Sequence, residues 1–268
     1  MTGIPHALAV LRYAAVCGFN DFGATYTIWT WLFGLFTRMV AQVAFFAFIG
    51  RLLESPEQVE FLFVGNVVMA AAAGALTTIV ATSWERGAGT LPLLLASPTS
   101  PVLVLMGRSV FFVANGLVLA LGALVLVAPM FDVAVPWARL PALVVLLVLV
   151  TVSTYMAALF LGGLVLRATG ARRTAANVAR LVVMAFCGVS VPRSLFPEPV
   201  QRLSDVLPLT HGLDAIRQLF AGARVAGILA NAALEVLVAL GWMVLALTAF
   251  RRLADAGRRD GSIVFSTA

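Results

Sequence analysis

The feature that most constrains this chain is a series of six apolar runs, each about as long as a helix that crosses a membrane. A transmembrane helix needs roughly 20 apolar residues. The runs are continuous rather than alternating, which favours helices, because backbone in lipid must satisfy its own hydrogen bonds. We therefore predict an all-α integral membrane protein with six transmembrane helices. The predicted spans are Ile28–Gly50, Phe61–Thr82, Leu103–Val127, Ala142–Leu166, Thr174–Val191 and Gly227–Phe250.

Composition also indicates that the bilayer is the solvent of this chain. Of its 268 residues, 62% are hydrophobic and 11% are charged, whereas soluble domains are about 45–50% apolar and about 25% charged. A globule of this length cannot bury so much apolar surface. The apolar runs take up nearly all of the sequence and leave no room in it for a separate soluble catalytic domain.

The basic residues exclude two kinds of chemistry. All 18 are arginine, and lysine does not occur. A Walker-type phosphate loop and a Schiff base both need a lysine. Two histidines and two cysteines lack the spacing of metal ligands, and no acid, base and nucleophile converge. We expect no catalytic residue, no metal and no cofactor bound by this chain itself.

Arginines in the short connections predict the orientation of the chain. Residues 167–173 contain three arginines and no acid, and four more follow the last apolar run closely. The opposite face carries Glu54, Glu57 and Glu60. Both termini should therefore be cytoplasmic. The predicted segments are a cytoplasmic interfacial amphipathic helix or frayed tail (1–27), a six-span transmembrane domain (28–253) and a cytoplasmic tail (254–268).

Residues 83–101, between the second and third predicted spans, form a connection that is longer and less uniformly polar than a simple linker needs to be. Gly87 and Gly89 let the chain turn, Thr90 can cap a short helix, and Pro92 suits its first turn. The leucines that follow would lie on a helix of barely two turns, which is not stable alone. This helix must pack either on a partner protein or on the protein's own helix ends.

A second unusual region lies between residues 191 and 227, where four prolines interrupt the apolar pattern. Proline at this density breaks a helix, so we predict two short helices, around Val200–Val206 and His211–Ala221. Non-helical backbone at membrane depth must be covered by protein or water. His211 fits two interpretations, a pH switch or a residue that caps or packs beside a helix start.

Two stretches resemble the permeases of type-2 ATP-binding-cassette (ABC-2) exporters, of the bacterial drug, natural-product or lipid type. WERGAGTLPLLLASPTSPVLVLMGR is similar to the cytoplasmic segment between their second and third spans, and LFPEPVQRLSDVLPLTHGLDAIRQLFAG is similar to the region before their last span. The resemblance covers the chain from about Phe61 to Arg251. The two motifs in this order are specific.

The resemblance implies a role for each motif. The first would be the coupling helix that docks in a cleft of a separate ATPase, and the second an external re-entrant pair of half-helices that caps the translocation route. Pro92 departs from the family pattern, which commonly has an acidic residue there. The implied ATPase-coupling residues are Trp84, Glu85, Arg86, Gly89, Thr90, Leu91 and Leu94, and those of the re-entrant motif are Pro208, Thr210, His211 and Arg217.

The resemblance also implies partners and a location. The chain would be a permease subunit in the bacterial cytoplasmic membrane, working with two copies of an ABC ATPase and a second permease, identical or paralogous. The ATPase would use ATP and Mg. Hydrophobic or amphipathic cargo such as a drug, antibiotic or lipid is expected. Glycolipid or polysaccharide export, a lipid-modifying enzyme and a sensor subunit are alternatives. Anionic membrane lipids explain the net charge of +6, so we expect no nucleic acid.

Polar residues inside the predicted spans are candidates for a translocation pathway, since charges there are costly. Arg38, one turn from Gln42, either reaches the cytoplasmic interface or lines the pathway. Arg180 is similarly ambiguous. Glu235 is either an ion-paired or outer-rim carboxylate, or it faces a dimer cavity and meets a cationic cargo group. The pathway candidates are Arg38, Gln42, Asn66 and Glu235.

Other polar and small residues in the spans suit helix packing. Asn115, Ser153, Thr154 and Tyr155 are expected to form hydrogen bonds between helices, as is Asn66 in the alternative to its pathway role. The small residues of Ala70–Ala75 permit close helix contact, either within the chain or across a dimer interface.

Overall fold

The computed structural model of the chain describes residues 4–81, 101–165 and 171–259. Side chains are described for residues 7–24, 26–81, 103–165 and 171–252. All seven predicted ATPase-coupling residues fall in the stretch 82–100, outside the described residues. The coupling helix therefore stays a prediction.

The described part of the chain is built from helices, and no strand occurs in it, which confirms the predicted all-α class. Short 3₁₀ turns occupy Ala128–Phe131, Trp137–Arg139 and Arg193–Leu195. The helices are α1 (Ile4–Thr25), α2 (Ile28–Leu52), α3 (Pro56–Ala81), α4 (Pro101–Val127), α5 (Leu140–Val165), α6 (Arg172–Phe186), α7 (Glu198–Val206), α8 (Thr210–Phe220) and α9 (Val225–Arg259).

Within the described ranges, five helices are long and apolar enough to cross a membrane. They are α2, α3, α4, α5 and α9, and they coincide with five of the six predicted spans. A multi-pass membrane protein is the architecture that such a set of helices indicates. The orientation of the chain and the cytoplasmic location of both termini stay predictions.

The predicted span Thr174–Val191 does not form as one helix. Helix α6 has 15 residues, about 22 Å at 1.5 Å per residue, which is shorter than the roughly 30 Å hydrocarbon layer. It ends at Phe186, and Gly188 has a φ of 80°. A left-handed glycine is a common way to end a helix, and the chain then bends. The count of six spans stays a prediction.

Helix α3 lies at the centre of the bundle, where it packs against α2, α4, α5, α6 and α8. Small residues allow this crowding: a Cβ atom on Gly74 would lie 2.5 Å from the Cα atom of Gly116 in α4. Most of Ala70–Ala75 is buried inside the chain. The small-residue stretch therefore serves contact within the subunit and is not available to a dimer interface.

Helix α1 packs along the first turns of α4. A Cβ atom on Gly18 would overlap the carbonyl oxygen of Arg108, and Asp21 forms an ion pair with the Arg108 side chain. The rings of Phe22 and Phe111 lie 4.5 Å apart. The N-terminal segment is thus a packed helix, and its position in the membrane interface stays a prediction.

Hydrogen bonds between helices involve three of the polar residues expected to form them, Asn66, Asn115 and Tyr155. Trp31 Nε1 donates to Asn115 Oδ1 at 2.7 Å, which joins α2 to α4. The Tyr155 hydroxyl donates to the Met106 carbonyl oxygen at 2.7 Å, which joins α5 to α4. Thr154 instead donates to a carbonyl oxygen of its own helix, because a threonine hydroxyl readily reaches back one turn.

The proline-rich segment, residues 192–221, contains the two short helices that the sequence predicts. Helix α7 packs on α6 and α8, while α8 packs on α3, α5 and α9. Leu209, between α7 and α8, has a φ of 82°, so the chain turns sharply there. The re-entrant position of this pair in the membrane stays a prediction.

Candidate functional site

Three polar side chains from three helices, Arg180, Gln42 and Asn66, form one chain of hydrogen bonds, called here the polar line. Arg180 of α6 donates through Nη2 to Gln42 Oε1 of α2. Gln42 Nε2 donates to Asn66 Oδ1 of α3 at 3.3 Å, and Asn66 Nδ2 donates to the Leu62 carbonyl oxygen at 2.9 Å. Asn66 is fully buried, whereas Gln42 and Arg180 are half-buried. The line therefore runs from the centre of the bundle towards its surface.

Arg38 lies one helical turn before Gln42 on the same face of α2, and its side chain is exposed. Its charge is close enough to oppose that of Arg180. Two guanidinium groups thus share the surface end of the polar line. The sequence left Arg180 ambiguous between the membrane interface and the pathway, and it was not among the four predicted pathway candidates.

A small cavity of about 50 Å³ lies between α2 and helices α1, α3 and α4. Arg38, Thr77 and Asn115 contribute polar atoms to its lining. The adjoining part of α2, Trp31–Phe36, has the wider winding of a π-helix, a local irregularity frequent at functional sites. The irregular turn and the polar line are therefore neighbours on one helix.

Glu235 lies elsewhere, in the first third of α9, where its side chain is fully buried. Its Oε1 accepts a hydrogen bond from the Leu209 N–H at 2.8 Å, and its Oε2 accepts one from the Gly212 N–H at 2.9 Å. The first N–H groups of a helix lack partners within the helix and form its positive end. Glu235 thus caps α8 from another helix, and its predicted pathway role stays untested.

Gly212 makes this capping contact possible. A Cβ atom on Gly212 would overlap Cγ2 of Val150 in α5 and would lie 3.3 Å from Cγ of Glu235. Any larger residue would push α8 away from α5 and from the carboxylate. The structure therefore places α5, α8 and α9 in contact around one buried charge.

Arg193 joins α7 and α8 of the proline-rich segment through two ion pairs. Its Nη1 lies 2.7 Å from Asp205 Oδ1 in α7, and its Nη2 lies 2.6 Å from Asp214 Oδ2 in α8. Burial raises the pKa of Asp214, while Arg193 lowers it. His211 Nε2 lies 3.1 Å from the carbonyl oxygen of Asp205. The histidine thus contacts α7, and both interpretations of His211 stay predictions.

Arg217 joins α8 to the bend that follows α6 and to α3. Its Nη2 lies 3.3 Å from the carbonyl oxygens of both Phe61 and Val189, and its guanidinium sits 3.6 Å from the centre of the Phe61 ring. Burial lowers the pKa of Arg217 to about 10, while Asp214 raises it. A Cβ atom on Gly65 would overlap the Val189 oxygen, so glycine is needed at this crossing.

The four residues predicted for the re-entrant motif are brought together in this segment. Thr210 Oγ1 donates to the Ser204 carbonyl oxygen at 2.7 Å, and Cys187 Sγ lies 3.5 Å from the Pro208 carbonyl oxygen. With the contacts of His211 and Arg217, these bonds hold α7, α8 and the bend after α6 as one unit. Arg193, which contacts two of its helices, was not identified from the sequence.

Comparison with known proteins identifies the family. The family model described as ABC-2 family transporter protein matches residues 53–248. Neither the curated proteins nor the solved structures contain a significant match to the chain. The matched region runs from the end of α2 to α9 and includes the proline-rich segment and, of the polar line, Asn66 and Arg180 but not Gln42. This multi-pass membrane protein belongs to the ABC-2 family of transporter proteins.

Proposed function

We propose that this chain is the membrane-spanning permease subunit of an ATP-driven exporter. It would couple ATP hydrolysis by a separate ATPase to the outward movement of a hydrophobic or amphipathic cargo. Permeases of this family pair with an ATPase subunit. The observation that carries the proposal is the polar line from Asn66 through Gln42 to Arg180, which opens on an otherwise apolar surface of a chain of this family.

A second permease would complete the route. Helix α2 exposes Phe33, Phe45 and Phe48, and α6 exposes Val178 and Leu181. One chain leaves the polar line open at this surface. A second subunit facing it would enclose the line between two apolar walls, which is where a cargo with a polar group and an apolar body fits. We infer a dimer of permeases, served by two ATPase subunits that use ATP and Mg.

The central position of α3 supports a coupling mechanism. The stretch 82–100 lies between the end of α3 and the start of α4, so a partner that docks there would push on both helices. Because α3 packs against α2, α4, α5, α6 and α8, its displacement would move the bundle as a packed body. The resemblance assigns the docking surface to Trp84, Glu85, Arg86, Gly89, Thr90, Leu91 and Leu94.

Co-purification tests the proposal directly. The permease is expressed in a host that supplies its ATPase, and the double variant Leu91→Asp, Leu94→Asp should lose the ATPase while the permease stays in the membrane. The matched control is Leu203→Asp on α7, whose side chain is 56% exposed and which lies on the proline-rich segment. Retention of the ATPase by the double variant would contradict the assignment.

Reconstitution of the purified pair in liposomes separates export from the other function classes. ATP-dependent movement of cargo out of the compartment that holds the ATP supports the exporter. Product formation without ATP would indicate a lipid-modifying enzyme instead. Stable association without movement would indicate a sensor or assembly subunit.

A further inference from the structure

We propose that the cargo carries an anionic group, a carboxylate, phosphate or sulfate, and that Arg38 and Arg180 bind it. This inference rests on the proposed transport function and specifies the cargo of the same site. The amide groups of Gln42 and Asn66 would hold Arg180 in place, and the apolar surface beside them would receive the rest of the molecule.

Neither arginine has a carboxylate partner among the described residues. Within residues 4–81, 101–165 and 171–259, the recorded ion pairs use Arg108, Arg193 and Arg202. Among those residues, Arg180 contacts only the neutral oxygen of Gln42, and no hydrogen bond is recorded for Arg38. Towards the residues that the structure describes, most of the N–H donors of both guanidinium groups therefore make no contact, and they can bind a ligand.

The position of Arg38 and its nearness to Arg180 make this arrangement costly unless an anion is bound. Helix α2 begins at Ile28, so Arg38 lies about 15 Å along a helix that is about 37 Å long at 1.5 Å per residue. A charge in the middle part of a span is unfavourable, and two like charges repel each other as well. An anion bound between them would relieve both effects.

The chemistry of arginine selects the class of ligand. The planar guanidinium group binds carboxylate, phosphate and sulfate oxygens through two parallel hydrogen bonds. Gln42 uses its oxygen on Arg180 and its amide nitrogen on Asn66, so it orients one guanidinium. An oriented arginine loses less conformational entropy when the anion binds.

The surroundings indicate an amphiphile rather than a small free ion. Phe45 lies one turn beyond Gln42 on the same face of α2, and its side chain is 61% exposed. A cationic cargo is not favoured, because Glu235, the carboxylate considered for that role, already accepts hydrogen bonds from two backbone N–H groups of α8 and its preceding turn. An acidic group on an apolar body matches both parts of this surface.

The test uses the purified permease in nanodiscs of phosphatidylcholine, without the ATPase. The probes are a fluorescent dodecanoic acid, its primary amide and the matched amine, and the binding signal of empty nanodiscs is subtracted. The full-length wild-type chain should bind the acid about tenfold more tightly than the amide, equivalent to one strong charge-assisted contact. It should bind the amine most weakly.

Variants locate the site. Arg180→Gln and Arg38→Gln should each weaken binding of the acid about tenfold and leave the amide unchanged. Arg180→Lys keeps the charge but not the paired donors, so it should fall between wild type and Arg180→Gln. The matched control is Arg51→Gln near the other end of α2. Equal loss for acid and amide, or equal loss in the control, would overturn the proposal.

A membrane lipid is the other possible source of the anionic group. Adding a minor fraction of phosphatidylglycerol to the nanodiscs distinguishes a cargo anion from a lipid headgroup. If the acid still binds in an arginine-dependent manner, the site prefers the cargo-like probe. If phosphatidylglycerol abolishes that binding, the site holds a lipid headgroup and the cargo proposal is wrong. Neither result alters the ATPase co-purification test, so failure here and failure of the proposed function are distinguishable.

Discussion

The polar line and the proline-rich segment both contain arginines among apolar helices, but the surroundings of the arginine charges differ. In the proline-rich segment, Arg193 contacts two carboxylates, and Arg217 contacts two carbonyl oxygens and an aromatic ring. On the polar line, Arg38 and Arg180 face each other's charge. A charge that is compensated within the chain stabilises the fold. A charge left uncompensated is available to a ligand, at a cost to the empty protein.

The variant with the largest expected loss of stability is Glu235→Ala. It removes a buried carboxylate that accepts two backbone hydrogen bonds, and it leaves the N–H groups of Leu209 and Gly212 buried without partners. Hydrogen bonds to a charged group contribute about 1.5–3 kcal/mol each, so we expect the free energy of unfolding to fall by about 3 kcal/mol. Thermal unfolding in detergent measures it, with the exposed Glu198→Ala as control.

Gly65→Ala should have the next largest effect. Its Cβ atom would overlap the Val189 carbonyl oxygen, a backbone atom of the bend after α6. Overpacking against backbone costs about 1–3 kcal/mol. The control is Gly241→Ala on α9, where nothing lies within 4 Å of the added atom, and where alanine should be slightly stabilising. Equal melting temperatures for the two variants would contradict the close crossing of α3 and the bend.

A matched pair of arginine variants tests the comparison most directly. Arg193→Gln breaks two ion pairs of a side chain that is 24% exposed, and we expect it to lower the free energy of unfolding by about 1 kcal/mol. Arg180→Gln removes an unpaired charge, so its stability should equal or exceed that of the wild type. Both are measured by thermal unfolding without added anionic lipid. A larger loss for Arg180→Gln would refute the distinction between the two regions.

The smallest expected effect is a pH dependence from Asp214. Its pKa in the folded state is raised above the ordinary value by burial, so the folded state holds this proton more tightly than the unfolded state. Stability from this group is therefore present below the ordinary aspartate pKa and is lost as the pH rises through the folded-state pKa. Melting curves between acidic and neutral pH should show a smaller pH dependence for Asp214→Asn than for wild type.

Much of the architecture could be predicted from the sequence. The positions of five spans follow from apolar runs, and the two short helices follow from Pro192, Pro197, Pro199 and Pro208. These signals are local, because hydropathy over about 20 residues and the missing N–H of proline act wherever they occur. The break after Phe186 was missed, since a span of ordinary composition continues past Gly188.

The candidate site was predictable only in part. Arg38, Gln42, Asn66 and Glu235 were identified one by one as costly polar groups in spans, which needs no knowledge of neighbours. Their partners could not be inferred, because Gln42 and Arg180 are 138 positions apart and Glu235 lies 26 positions from Leu209. Nothing in the sequence distinguishes a carboxylate that caps a helix from one that faces a cavity.

The sequence by itself determined that the chain is helical and crosses a membrane, since both follow from its continuous apolar runs. The resemblance of two motifs indicated the ABC-2 transporters. Only the tertiary structure decided which charges are compensated. Compensation depends on distances of about 3 Å between helices that are far apart in the chain, and these distances are set by the packing of small residues such as Gly65, Gly74 and Gly212.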